Sequence, residues 1–354
     1  MRIRKLFAGS NSAKGFYSLF HNIIGPDAKK VYLLKGGPGT GKASFMRTIA
    51  DELREEGLEQ ELFFCSSDSR SLDAVTFPEL GVALVDATSP HTQDAKWPGC
   101  RDELVCLGNF WSSKELEKKR VEIVEAGLAK ASYFAQAFRY FAAALFIEEN
   151  MASRNSKHKR DVLEEVGVIL AELQGARKSP RTWPTKARHL FASALTPEGY
   201  VSQIEELVAD YSNRYILTGL VGTGKSEYLD LILTHGELAG LTIEVYHYPL
   251  NPEKILHLLV PELGLAVLTA NELEPLAHLS GRRIDCGHGQ ENHSNATDQR
   301  LFRELIDLGI KALQDAQASH ASVETYYAQS MDFSAVNQLR ERLTKEILSY
   351  RNRS

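Results

Sequence analysis

The sequence is poor in the features of a stapled, zinc-bound or membrane-spanning chain. It holds only four cysteines, Cys65, Cys100, Cys106 and Cys286, with no CxxC pair among them. That usage fits neither a disulfide framework nor a zinc ribbon. There is no apolar run of about eighteen residues, and the basic start MRIRKLFAGS has no apolar stretch behind it, so neither a spanning helix nor a secretory signal is expected. Excess charge is also small, with 41 Lys and Arg against 46 Asp and Glu for a net −5. Such a balance suits neither nucleic acid nor an anionic membrane as partner. The expectation is a cytoplasmic protein. What is present is an ordinary globular composition, 43% hydrophobic and 25% charged over 354 residues, enough for one large domain or two smaller ones.

A repeat decides between these. At an offset of 183, VYLLKGGPGTGK ending at Lys42 lies over RYILTGLVGTGK ending at Lys225, and FPELGVALVDA from Phe77 lies over VPELGLAVLTA from Val260. No gap separates the two matches: Asp86 follows Lys42 by 44 residues, and Thr269 follows Lys225 by the same 44. An offset of 184 aligns RKLFAGSNSAKGF from Arg4 with RHLFASALTPEGY from Arg188, and one of 186 sets Tyr140-Phe141-Ala142 over Tyr326-Tyr327-Ala328. Chance likeness between two glycine-rich loops would not extend to these flanks, so the chain is a tandem duplication. The joint falls near Thr185, in the proline-bearing segment GARKSPRTWPTKA. Two separable units, 1–184 and 185–354, are expected.

Each unit reads as α/β. In the first, strands are expected at VYLL, 62–65 and 82–85, with a helix over 43–53. The second repeats them as YILT, a helix over 226–233, IEVYHY and LAVL. Strands alternating with helices predict a parallel sheet flanked by helices in each unit. Long helical extensions follow, over 113–175 and 298–350. In the first, a seam runs through Leu116, Ile123, Leu128, Ala131, Phe134, Phe138, Phe141 and Leu145.

The chemistry concentrates in the duplicated loops. Residues 219–226 form a complete GxxxxGK[ST] between a strand and a helix. Gly219, Gly222, Thr223 and Gly224 let backbone N–H groups turn inward on phosphate oxygens, Lys225 reaches the terminal phosphates, and the Ser226 hydroxyl can ligate Mg²⁺ beside Glu227. The copy at 36–43 keeps Gly36, Gly37, Gly39, Thr40, Gly41 and Lys42 but has Ala43 at the hydroxyl position. Ser44, one place on, points about 100° away on a helix and does not replace it. A carboxylate at the end of a neighbouring apolar strand normally completes the metal shell. Asp86, closing the strand at 81–86, supplies one in the first unit, with His91 placed to sense the γ-phosphate or orient water. In the second, the strand at 264–269 ends on Thr269, with Asn271 and Glu272 as weak substitutes. One unit kept the acid and lost the hydroxyl; the other did the reverse.

These loops, with LFAGSNSAKGFYSLF, the FFCSSDSRSLDAVTFPELGVALVDATSPH block, RHLFASALTPEG and VETYYAQSMDF, resemble a bacterial family of tandem P-loop ATPase-like proteins with two Walker A motifs, found mainly in Gram-positive lineages. The resemblance spans nearly the whole chain and implies two nucleotide-binding domains. Ala43 departs from the Ser or Thr usual in the family's first loop. Other residues have two readings each. Arg70, Arg101, Arg282 and Arg283 are phosphate clamps or surface cations. Cys65, His247, Cys286 and His288 match no zinc spacing and fit buried or loop roles better. Tyr133, Phe134, Phe138, Tyr140 and Phe141 stack a base or pack a helix seam. Arg154, Lys157, Lys159 and Arg160 read as a solvated basic surface. The expected function is ATP binding (ATP/ADP with Mg²⁺), slow hydrolysis and nucleotide-dependent switching. A small-molecule or nucleotide kinase, with residues 96–110 as its lid, and a nucleic-acid-dependent ATPase are the alternatives.

Overall fold

The computed structural model describes residues 2–156, 160–176, 187–287 and 293–352. Most of the expected joint, with Lys157, Lys159 and His288, lies outside them. The first repeat contains β1 (Ile3–Leu6), β2 (Gly9–Ser12), β3 (Gly15–Ser18), β4 (Lys30–Lys35), α1 (Lys42–Glu55), β5 (Gln60–Cys65), β6 (Asp68–Phe77), β7 (Val82–Asp86) and β8 (Asp102–Cys106). Helices α2 (Ser113–Glu117), α3 (Arg120–Asn155) and α4 (Leu163–Gly175) follow. The second contains β9 (Arg188–Leu190), β10 (Ser193–Thr196), β11 (Gly199–Ser202), α5 (Ile204–Leu207), β12 (Asn213–Thr218), α6 (Lys225–Leu238), β13 (Glu244–His247), β14 (Ile255–Val260), β15 (Leu265–Thr269) and β16 (Arg282–Asp285). It ends in α7 (His293–Gln329) and α8 (Phe333–Ser349).

Two six-stranded sheets have the same order, β1-β5-β6-β7-β4-β8 and β9-β13-β14-β15-β12-β16. They are mixed, and the expectation of parallel sheets is corrected here. β6 runs antiparallel to both β5 and β7, and β14 to both β13 and β15. The connections explain it. Only Ser66 and Ser67 join β5 to β6, and a single turn at Pro78–Leu80 joins β6 to β7, which is too little chain for a parallel crossover. The outer strands remain parallel, so β4 sits between β7 and β8 with all three ending on the same side. Within residues 96–110, the expected lid, Asp102–Cys106 form β8, and Arg101 is bound to Asp102 at 2.6 Å.

The hairpins β2-β3 and β10-β11 join in a third sheet of order β11-β10-β2-β3 that belongs to both repeats. Phe7 and Phe191, equivalent at the offset of 184, exchange both backbone hydrogen bonds at 3.0 Å. Around that contact a core shared by both repeats buries Leu6, Ala8, Phe63, Leu190, Ala192 and Tyr246. Four charges are buried with it. Arg4 reaches Glu61 and Glu244, each at 2.7 Å, and Arg188 takes both oxygens of Glu61 at 2.8 and 2.7 Å. Since Arg188 repeats Arg4 and Glu244 repeats Glu61, the quartet is itself a product of the duplication.

The long helices cross over. α3 and α7, 36 and 37 residues and so each about 54 Å long, run antiparallel and meet where Phe141 lies on Gly309. Beyond the crossing, α4 buries Val166, Ile169 and Leu173 against α6 of the second repeat. Symmetrically, α8 buries Val336, Leu343 and Ile347 against the first repeat, with Arg340 and Thr344 on Glu52 of α1. Phe134, Phe138 and Phe141 are core residues of the helix pair, but Leu128 is 67% exposed, so the expected seam holds only over the C-terminal part of α3. The Tyr140/Tyr326 match also fails in space: Tyr140 lies mid-helix and Tyr326 near a helix end. No helix among the described residues is long and apolar enough to cross a membrane.

Candidate functional site

Both glycine-rich loops fold alike. Each leaves the C-terminal end of a central strand and enters a helix through a left-handed glycine, Gly41 at φ 84° and Gly224 at φ 87°. In the first, Thr40 is fully buried and bonds the Gly37 carbonyl at 2.7 Å, while Lys42 folds back on the Gly36 and Gly37 carbonyls at 2.8 and 3.0 Å. In the second, Thr223 bonds Leu220 at 2.8 Å, and Lys225 caps the carbonyls of Gly219 and Leu220. In both loops the ammonium is satisfied by backbone carbonyls, which it would have to leave to reach an anion at the helix N-terminus. Burial pushes Lys225 down to about 8, against the opposing pull of nearby Cys286, Glu148 and Asp285.

Each loop is roofed by the other repeat's helix. Gly222, at φ 90°, lies against the Ala152 carbonyl near the end of α3, and Asn155 donates to the Val221 carbonyl at 3.0 Å. Gly39, at φ 72°, lies against the Glu324 carbonyl near the end of α7, and the Tyr327 ring covers Gly37. At either glycine a Cβ would collide with helix backbone and would also be strained at positive φ. Ala152 and Glu324 are thus spatial equivalents at an offset of 172, which replaces the 186 read from Tyr140 and Tyr326.

Beside the first loop, Asp86 ends β7 next to β4, and its carboxylate is 3.6 Å from the Lys42 ammonium. His91 lies 4.0 Å from Asp86 and 3.6 Å from Asp73, stacked on Phe20 at 4.6 Å. Asp73, on β6, escaped the sequence reading because nothing local marks it. Burial pushes its carboxyl up to about 6 despite the His91 charge. Burial opposes the His91 imidazolium, but Asp73 and Asp86 outweigh it and raise its pKa. His91 therefore favours holding a proton rather than taking one. Ala43 offers no oxygen, and Ser44 is exposed. A single carboxylate already paired with Lys42 is a poor shell for magnesium.

The second loop opens on a cavity of about 560 Å³ walled by Lys225, Ser226, Glu148, Tyr248, Lys254 and Thr269, among others. Glu148 comes from α3, is 5% exposed, and accepts from the Tyr248 hydroxyl at 2.9 Å. Thr269 stands in the Asp86 position, and its buried hydroxyl oxygen finds no partner among the described residues. Behind it, the Thr269 N–H donates to His257 Nδ1 at 3.2 Å, so Nε2 carries the proton toward Glu274 at 3.1 Å. At the offset of 183, Glu274 matches His91 and His257 matches Ala74, the neighbour of Asp73. Ser226, Thr269 and Glu148 offer the hard oxygen donors that magnesium prefers. Asp86 and Ser226, both expected as metal ligands, belong to different loops and cannot share one ion.

Of the other candidates, Arg70 lies within electrostatic reach of Glu324 at the first loop, and Arg282, Arg283 and His247 serve structure. The Arg70 side chain is 82% exposed beside Asp68, Arg282 lies over Tyr215, and Arg283 donates to the Leu276 carbonyl. His247 pairs with His189 at 2.8 Å. The four cysteines are free thiols. Cys65 nonetheless interacts with buried Asp73, and Cys286 adjoins Lys225. Among the described residues, no group of three or more His, Cys, Asp or Glu is placed to hold a metal by itself. No family model matches the chain, and neither do the curated proteins or the solved structures compared with it.

Proposed function

We propose that the chain is a nucleoside-triphosphate-binding protein of the P-loop class, with ATP as the expected nucleotide and the second loop as its principal magnesium-dependent site. The observation that carries this reading is the cavity at residues 219–226, with Lys225 and Ser226 in its wall. Its volume falls within the roughly 300–1,000 Å³ usual for small-molecule sites. Loop N–H groups and the start of α6 would hold phosphate oxygens, and Lys225 would exchange its carbonyl partners for the terminal phosphates. Magnesium, when bound, supplies charge neutralisation between those phosphates; Ser226 is the loop residue that would hold it.

Slow turnover is assigned to the first loop. Asp86 is a carboxylate where the second repeat has Thr269 and would orient an attacking water, while His91, its pKa raised by Asp73 and Asp86, would hold Asp86 in place and offset negative charge when protonated. A poor metal shell there keeps the rate low. The acceptor-transferring alternative is less favoured, since Asp102–Cys106, the middle of its expected lid, pair with β4 in the sheet. Titration of the full chain with an ATP analogue and Mg²⁺ tests the binding assignment. Lys225→Ala should remove the tighter, magnesium-dependent event and Lys42→Ala should spare it. Unchanged affinity after Lys225→Ala would overturn the assignment, and fast hydrolysis lost only in that variant would move turnover to the second loop.

A further inference from the structure

The two loops differ in where they keep a carboxylate. At the first it sits on the strand, as Asp86, and the roof carries His320 four residues before Glu324. At the second the strand carries Thr269, and the roof carries Glu148 four residues before Ala152. The offset of 172 that pairs Ala152 with Glu324 pairs Glu148 with His320. At these two paired positions the acid stands on the strand at the first loop and on the roof at the second, while the first roof also keeps Glu324, one turn further along and within reach of Lys42.

Building on the nucleotide-binding reading above, we propose that Glu148, from the first repeat's helix α3, supplies the metal-side carboxylate of the second repeat's site, doing there what Asp86's position does at the first. Three observations carry it. Glu148 shares the cavity wall with Ser226 and Lys225 although it lies 77 residues before Lys225 and in the other repeat. It is nearly fully buried, and burial raises its carboxyl against the opposing pull of Lys254 and Lys225, the cations that face it, so a bound metal ion would add the charge its ionised form lacks. The strand position beside it holds a hydroxyl with an unused oxygen in place of a carboxylate, and Glu272, also in the wall, is paired with Arg303. At the first loop, His320 faces Lys42 and Lys130, and burial with these cations pushes it down to about 4, so it stays neutral and adds no charge there.

The pairing with Tyr248 gives Glu148 an obvious packing role, so the test must separate metal from packing. Glu148→Gln keeps the shape and an oxygen for the Tyr248 hydroxyl but removes the negative charge. Binding of a slowly hydrolysed ATP analogue is measured by calorimetry on the full chain, with Mg²⁺ and with chelator, in a Lys42→Ala background that silences the first loop. Mg²⁺ should tighten binding about tenfold, Glu148→Gln should remove that gain while leaving chelated affinity equal or better, and adding Thr269→Asp should restore it. A full magnesium effect in Glu148→Gln overturns the proposal. So does an equal loss with and without metal that Thr269→Asp does not recover. If the Lys42→Ala chain binds no analogue under either condition while Glu148 is intact, the nucleotide reading itself fails and takes this proposal with it.

Discussion

Arg4, Glu61, Arg188 and Glu244 show what a single side chain can decide in this molecule. Burial works against the Glu61 charge, but Arg188 and Arg4 outweigh it and hold its carboxyl below the usual glutamate range. A carboxyl lowered by folding adds stability above its unfolded pKa, and that stability is lost as pH falls through the folded value. Glu61→Gln leaves two guanidiniums short of charge in a buried place, a change that costs about 3 kcal/mol. The loss should be largest near neutral pH and shrink as the solution is acidified below about 4.5. Denaturant melts of both chains at pH 7 and pH 4 measure it. A gap that widens toward acid would contradict this account of the quartet. The sequence marks Arg4 and Arg188 as repeated, but not as partners. Their carboxylates lie more than fifty residues away, and local spacing carries no trace of them.

Elements were legible in proportion to how local their signals are. The loops, the strand before each and the helix after each follow from glycine spacing and apolar runs, and all appear where the sequence puts them. β6 was hidden because it opens with the polar Asp68-Ser-Arg-Ser and then runs buried on both faces, with Asp73 and Thr76 among its apolar residues, which breaks the alternation that marks a half-buried strand. The first repeat's hairpin, GSNSAKGFYS, offers small residues that read as a loop. The roofing of each loop by a distant helix is purely tertiary and leaves a mark only in Gly39 and Gly222. Gly222→Ala therefore tests it. A side chain in that backbone region costs about 1–3 kcal/mol, and the Ala152 carbonyl must also be pushed away. Thermal unfolding should move down accordingly, and nucleotide binding at the second loop should weaken in step. An unshifted melting curve would mean that α3 does not press on the loop in solution.

In the whole molecule, each repeat packs its last helices on the other. A protease cut between Gly175 and Lys186 would free no half, because α3 and α4 pack on the second repeat while α7 and α8 pack on the first. The nicked chain should elute from a sizing column at the intact position and fall into two fragments only in denaturant. Separation under native conditions would show that the crossed helices hold less firmly than their buried faces imply. The sequence expectation of two separable units is what this measurement decides. Repetition identifies what was copied and is silent about which copy a helix packs against.

The crossing of α3 and α7 also sets a timetable. A ribosome delivers the end of α3 well over a hundred residues before the start of α7, a wait of roughly ten seconds at ordinary elongation rates. During that wait, Phe141, Ala144 and Met151 have no partner helix and lie open to water and to neighbours. A second nascent chain carries the same unfinished surface. Crowded synthesis therefore offers each molecule another's α7 before its own, and the duplication that built the protein also makes it prone to finishing itself with a piece of someone else.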